Sequence, residues 1–219
     1  MLFLLYRYAE GRGTAALFAW ISDIDFLSST ELICTDKYNH CLRLANFTLS
    51  PPETSAFAGS CTVEGNTGGH RITSALFRYP ELTEVNSDNS IMFMLDSYHT
   101  LLMIDLRTDT VTTLVTFDSL SVDMMLLGDS LLYLSKDTKL AVFNLETKEE
   151  SVVAGDAVSG DAFGSFEQTR FDSVFGLLPW RTNEVKTLLL VADDHADRFV
   201  SFFLSCENIH VFVPILKRR

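Results

Sequence analysis

The residue types able to carry chemistry in this 219-residue chain are five histidines, four cysteines and one dense acidic cluster. His40, His70, His99, His195 and His210 form no His-x-x-x-His or comparable pair, and a metal site needs convergent ligands. They are expected to be turn residues. Asp193-Asp194-His195-Ala196-Asp197 concentrates three carboxylates, whereas Ca²⁺ takes ~6–8 oxygen ligands, so a solvated turn is expected there as well. Cys34, Cys41, Cys61 and Cys206 contain no Cys-x-x-Cys pair, which leaves neither a zinc knuckle nor a thioredoxin-like centre. No Gly-x-Ser-x-Gly is present to mark a serine nucleophile. These residues predict no enzyme, no cofactor and no metal. Lys plus Arg total 17 against 29 Asp plus Glu, a formal charge of -12 that repels a phosphate backbone and argues against nucleic-acid partners. The one basic cluster, Lys217-Arg218-Arg219, reads as a solvated tail.

The elements that would position such residues are strands. Hydrophobic residues make up 47% and charged residues 21%, enough apolar surface for a sizeable core. No run approaches the ~18 apolar residues of a membrane helix, so no transmembrane segment is expected. The apolar start Leu2-Phe3-Leu4-Leu5-Tyr6 lacks the basic lead and small-residue cleavage site of a secretory signal and reads as a β-strand. With Asp36, Asp96, Ser135 and Asp193 placed in register, four segments align without gaps. Each has an apolar run, a polar break of a few residues and a second apolar run, the pattern of a β-hairpin whose Asp or Ser can bond the turn backbone. Ahead of three of them lie glycines and a phenylalanine: Gly11, Gly13 and Phe18; Gly59, Gly65, Gly68, Gly69 and Phe77; Gly155, Gly160, Gly164 and Phe171. The glycines suit loops that cross between sheets, and the Phe is expected to plug the core between adjacent sheets.

These features resemble the NHL-repeat β-propeller family. The likeness is carried by Ser74-Ala75-Leu76-Phe77-Arg78-Tyr79-Pro80, by Thr35-Asp36-Lys37-Tyr38-Asn39-His40-Cys41-Leu42-Arg43 and by Val191-Ala192-Asp193, and it covers residues 11–213. The third repeat departs most, lacking the glycine-loop introduction and carrying Ser135-Lys136-Asp137 at its turn. The resemblance implies an all-β propeller of about four four-stranded blades within one domain, residues 1–219. The blades fall near 20–58, 79–116, 120–154 and 172–215, with residues 1–10 as an extra strand. Such a ring either closes alone or is part of a larger or incompletely closed one.

If the turn after residue 46 centres near Pro51, antiparallel pairing sets residue i opposite 102 minus i, and Cys41 faces Cys61 within disulfide reach. Some extracellular NHL-like proteins are similar here, while two buried free thiols are the alternative. Asn46-Phe47-Thr48 is the sole glycosylation sequon and lies in the same hairpin loop. These residues predict an extracellular or secreted, non-enzymatic protein-interaction or structural scaffold module. Its acidic surface favours basic protein partners or cations. Self-association would run through an unmatched edge strand, residues 2–8 or 209–215. The competing reading is a metal-dependent propeller lyase or hydrolase, which would need several His or carboxylate side chains converging at a channel.

Overall fold

A computed structural model of the chain describes residues 7–162, 168–183, 186–193, 198–204 and 209–211. Within them lie four antiparallel sheets, two single 3-10 turns and no α-helix. The first sheet comprises β1 (Gly11–Arg12), β2 (Ile21–Ser28), β3 (Glu31–Asp36), β4 (Cys41–Asn46) and β5 (Glu53–Ala58). The second comprises β6 (Gly69–His70), β7 (Pro80–Val85), β8 (Ile91–Asp96), β9 (Thr100–Asp105) and β10 (Thr110–Thr116). The third holds β11 (Asp123–Leu127), β12 (Leu131–Lys136), β13 (Lys139–Asn144) and β14 (Glu150–Gly155). The fourth holds β15 (Val174–Asn183), β16 (Lys186–Asp193), β17 (Arg198–Leu204) and β18 (Ile209–Val211). Each sheet is an up-and-down meander, because short turns join strands whose middle members are apolar on both faces. The first two sheets are not four-stranded as expected. Their glycine-rich introductions add a two-residue strand outside β5 and β10.

The chain divides into two compact units, Met1–Asp118 and Ser119–Arg219. Each unit has its own core between its two sheets. In the first, Ile33, Leu42 and Phe57 of one sheet meet Met92, Met94, Leu102 and Ile104 of the next, with Phe77 fully buried among them. In the second, Met125, Tyr133 and Leu140 meet Val191 and Val200 around Phe171. Phe77 and Phe171 are therefore the expected plugs, each worth roughly 1.5–3 kcal/mol of burial. The glycines at Gly59 (φ +82) and Gly155 (φ +81) make room for them. A Cβ at Gly59 would sit 2.7 Å from the Phe77 ring, and one at Gly155 would sit 2.2 Å from the Thr138 carbonyl oxygen. Phe18 departs from this role: it is half-buried and lies over the Arg43 guanidinium, 4.9 Å from the ring centre.

Side chains rivet the first long strand of one sheet to that of the next. Asp23 and Asp25 on β2 accept the Thr83 and Val85 backbone N–H groups of β7, at 2.8 and 3.0 Å. In the second unit Asp123 does the same for Leu177 at 2.6 Å. A strand edge that would otherwise be an unpaired template is thereby satisfied. The marker residues have a related task. Asp36 accepts N–H groups from Ala19 and Trp20, Asp96 from Arg78, and Asp193 from Asp172 and Ser173. Each carboxylate thus ties down the loop that enters its sheet, and Asp36 also takes a turn donor, Asn39 Nδ2. Ser135 is too short for this. Its backbone carbonyl accepts the Val122 N–H instead, and its hydroxyl donates to the Asp123 carbonyl at 3.4 Å.

Cys41 and Cys61 are bonded, with Cα atoms 5.0 Å apart. The register behind that expectation is corrected, however. Leu42 pairs Ala58 and Arg43 pairs Ala56 across a bulge, and Cys61 follows in a turn held by the Thr62 N–H to the Asn39 carbonyl. The bond therefore ties the β3–β4 turn region to the loop leaving β5. Its ring spans a sequence separation of 20, so Cys41→Ala with Cys61→Ala is expected to cost about 3 kcal/mol in the chain-entropy description. Urea denaturation of the two forms measures it, and an unchanged midpoint would refute the stapling role. Cys34 is a buried free thiol, while Cys206 lies outside the described residues, as do residues 1–6, 194–197 and 212–219. The expected strand at the start of the chain, the rest of the acidic cluster with His195, the end of the expected 209–215 edge and the basic tail all fall there.

Candidate functional site

Where sheets one and two of the first unit adjoin, their turns form a hollow of about 320 Å³ lined by Lys37, Tyr38, Tyr79, Glu81, Ser97 and Tyr98. Three kinds of segment supply it. Lys37 and Tyr38 belong to the 3-10 turn between β3 and β4, and Ser97 and Tyr98 to the turn between β8 and β9. Tyr79 and Glu81 come from the entry to β7 and its second residue. Trp20, 57% exposed ahead of β2, extends the aromatic surface: its ring meets Tyr38 edge-on at 6.1 Å, and Tyr38 meets Tyr79 at 5.9 Å.

At the floor, Lys37 Nζ lies 2.5 Å from Glu81 Oε1 and donates to the Tyr98 hydroxyl at 2.9 Å. The same ammonium stands 4.6 Å from the Tyr98 ring centre and 5.7 Å from that of Tyr38. Glu81 is 3% exposed, and burial raises its carboxyl pKa although the Lys37 ammonium pulls the other way. Burial would lower Lys37, but its hydrogen bonds to Glu81 and Tyr98 outweigh that and hold its pKa above the usual value. The arrangement is a charged side chain held in an aromatic box over a buried carboxylate.

The backbone around this hollow is conspicuously strained. His40 (φ 60), Tyr79 (φ 57), Ser97 (φ 52) and Tyr98 (φ 65) all occupy the left-handed region without being glycine. In the β8–β9 turn, closed by the His99 N–H to the Asp96 carbonyl, Ser97 and Tyr98 hold the two central positions. Asn-Gly is the usual occupant of such a turn. Backbone strain of this kind costs of order 1–3 kcal/mol per residue and clusters at sites where the side chain is needed.

Of the residues singled out from the sequence, His40 and His99 border the hollow without lining it. His99 Nδ1 lies 2.6 Å from the Ser97 carbonyl, His70 accepts the Ile72 N–H, and His40 accepts the Tyr79 N–H at 3.4 Å. Burial lowers the His40 pKa and favours its neutral, accepting form. Among the described residues no three His, Cys, Asp or Glu side chains converge to hold a metal ion. Asn46 lies at the end of β4, away from the hollow, with its Oδ1 accepting the Thr48 N–H (2.9 Å) and hydroxyl (2.6 Å). None of the lining residues was read from the sequence as a site. The one available signal was bulky Tyr98 and Tyr79 at positions where turn chemistry asks for glycine or asparagine.

No known sequence family and no curated protein matches this chain. Its likeness lies in folds. A structural genomics protein of unknown function from Bacteroides thetaiotaomicron superposes with a TM-score of 0.57 and 12% identity over 94% of this chain and 46% of that one. An auxiliary nutrient binding protein from Bacteroides ovatus gives 0.64 and 13% over 89% and 47%. Kluyveromyces lactis Hsv2 gives 0.50 and 13% over 89% and 49%. With its repeated four-stranded meanders, the chain has a propeller-like all-β fold. It spans about half the length of the structures it resembles. No helix among the described residues is long and apolar enough to cross a membrane.

Proposed function

We propose that this chain is a non-enzymatic protein-interaction module of the NHL-repeat type whose recognition surface is the aromatic hollow of the first unit. The observation that carries the reading is Tyr98, a large ring kept at φ 65 in a turn where glycine would be unstrained. Backbone strain of this kind is a mark of positions where the side chain has a task. The resemblance to an auxiliary nutrient binding protein supports binding rather than catalysis. The disulfide, together with the sequon Asn46-Phe47-Thr48 at a turn where Phe47 is 51% exposed, supports an extracellular setting in which Asn46 carries a glycan. Intact-mass analysis of the secreted chain before and after glycosidase reads that glycan, and an unmodified Asn46 removes this support. Self-association through an edge strand belongs to the same reading. The outermost described strand of the fourth sheet, β18, pairs only on its β17 side among the described residues.

The test separates scaffold from surface. Ser97→Asn with Tyr98→Gly installs the unstrained turn, so stability is expected to stay within about 1 kcal/mol of the parent or to rise. Partner species retained from an extract of the protein's own cells by the parent are expected to be lost by the variant. A core tyrosine would behave oppositely, because truncating a buried aromatic costs about 3–5 kcal/mol. Destabilisation of that size, or undiminished retention, would overturn the assignment.

A further inference from the structure

The hollow already contains a cation, and that occupant indicates what the site recognises. Lys37 Nζ sits between the Tyr98 and Tyr38 rings at 4.6 and 5.7 Å and contacts the Glu81 carboxylate at 2.5 Å. Ring faces attract ammonium and guanidinium groups, and a carboxylate only 3% exposed makes the attraction stronger than it would be in water. About 320 Å³ remains open above this ion pair. Lys37 is also free to leave in a way that the rings are not. It stands on a flexible four-carbon stem, whereas each tyrosine ring turns about only two side-chain bonds.

Resting on the proposed binding role, we infer that the Tyr38–Tyr98–Glu81 box is a recognition site for an arginine or lysine side chain of a basic protein segment. Lys37 is its internal occupant, displaced as the partner's cation enters. The formal charge of -12 brings such a segment to the surface, and the box supplies the specific contact. Until then Lys37 keeps Glu81 compensated, so the site stays closed to weak cations and opens only to a ligand that replaces its contacts.

A hexa-arginine peptide is the probe, titrated calorimetrically into the full chain at near-physiological salt with hexa-glutamate as control. Lys37→Ala empties the box and is expected to tighten hexa-arginine binding about tenfold. That gain should vanish when Tyr98→Gly is added, which separates the box from the general acidity of the surface. Binding that weakens or stays unchanged in Lys37→Ala would overturn the proposal, as would binding of hexa-glutamate at the hollow. Should Lys37→Ala fail to fold with Glu81 left unpaired, the parent chain still decides. Acylation of the Lys37 amine, read by peptide mass spectrometry, is expected to accelerate several-fold when hexa-arginine saturates the protein. Unchanged reactivity or protection refutes displacement. If hexa-arginine fails these tests while the Tyr98→Gly variant still loses its natural partner, the cation assignment falls and the binding role stands.

Discussion

Arg43→Ala is expected to lower the stability of the chain by about 3–5 kcal/mol. The Arg43 side chain is fully buried on β4. It donates to Asp36 Oδ2 at 3.2 Å, to the Ala9 carbonyl at 2.8 Å and to the Leu17 carbonyl at 3.3 Å, and its guanidinium packs against Tyr8 and Phe18. It therefore holds residues 8–18 down over the first sheet. Counted from the marker pairs, the matching positions are Leu102, Val142 and Val200, where ordinary apolar packing suffices. Truncation leaves the Ala9 and Leu17 carbonyls with only each other's backbone N–H and the Asp36 carboxylate in a dry site with only backbone and Asn39 donors. Urea denaturation measures the loss. Arg43→Leu combined with Asp36→Asn should recover part of it, because removing both charges avoids an uncompensated one. A loss below about 1 kcal/mol in Arg43→Ala would show that the clamp contributes nothing net.

Asp96 is expected to make the fold less stable as pH rises through neutrality. Burial pushes its carboxyl up to about 7; the Arg78 N–H lowers it, and nearby Glu81 raises it again. The folded chain therefore keeps this proton at pH values where the unfolded chain, with an ordinary carboxyl near 3.8, has released it. The resulting stability is fully present below about pH 4 and is lost as pH rises through about 7. At roughly 1.4 kcal/mol per pH unit, the difference is on the order of 4 kcal/mol. Asp96→Asn keeps an oxygen for the Arg78 N–H and carries no ionisable proton. Its stability relative to the parent should therefore improve between pH 4.5 and about 7 and level off above that. Glu81, also raised by burial, contributes in the same direction, so the difference between the two forms reads Asp96 together with its coupling to Glu81. A constant offset across that range would refute the prediction.

Local features were legible in the sequence. Hairpins are written in contiguous residues, and the four aligned segments became β3–β4, β8–β9, β12–β13 and β16–β17. The glycine-then-phenylalanine order foretold Phe77 and Phe171 because a missing Cβ and a large ring are complementary at one contact. The Cys41–Cys61 bond was legible as a pair, although a bulge at Leu42/Arg43 breaks the simple register used to reach it. Bulges depend on local twist and packing, which a pairing rule does not contain.

Only the tertiary structure could show where side chains from separate repeats meet. The marker carboxylates serve loops some twenty residues upstream, and Asp23 and Asp25 serve a strand about sixty residues on. The hollow is the strongest case. Trp20, Lys37, Tyr38, Tyr79, Glu81 and Tyr98 come from four stretches of two repeats, and stacking sheet two on sheet one brings the Tyr38 and Tyr98 rings to one ammonium, with Trp20 and Tyr79 edge-on to Tyr38. Periodicity specifies which face of a strand is apolar, a property of neighbours two residues apart. Which turns adjoin is decided by the burial of Phe77 and the methionines of β8, and the site follows from that packing.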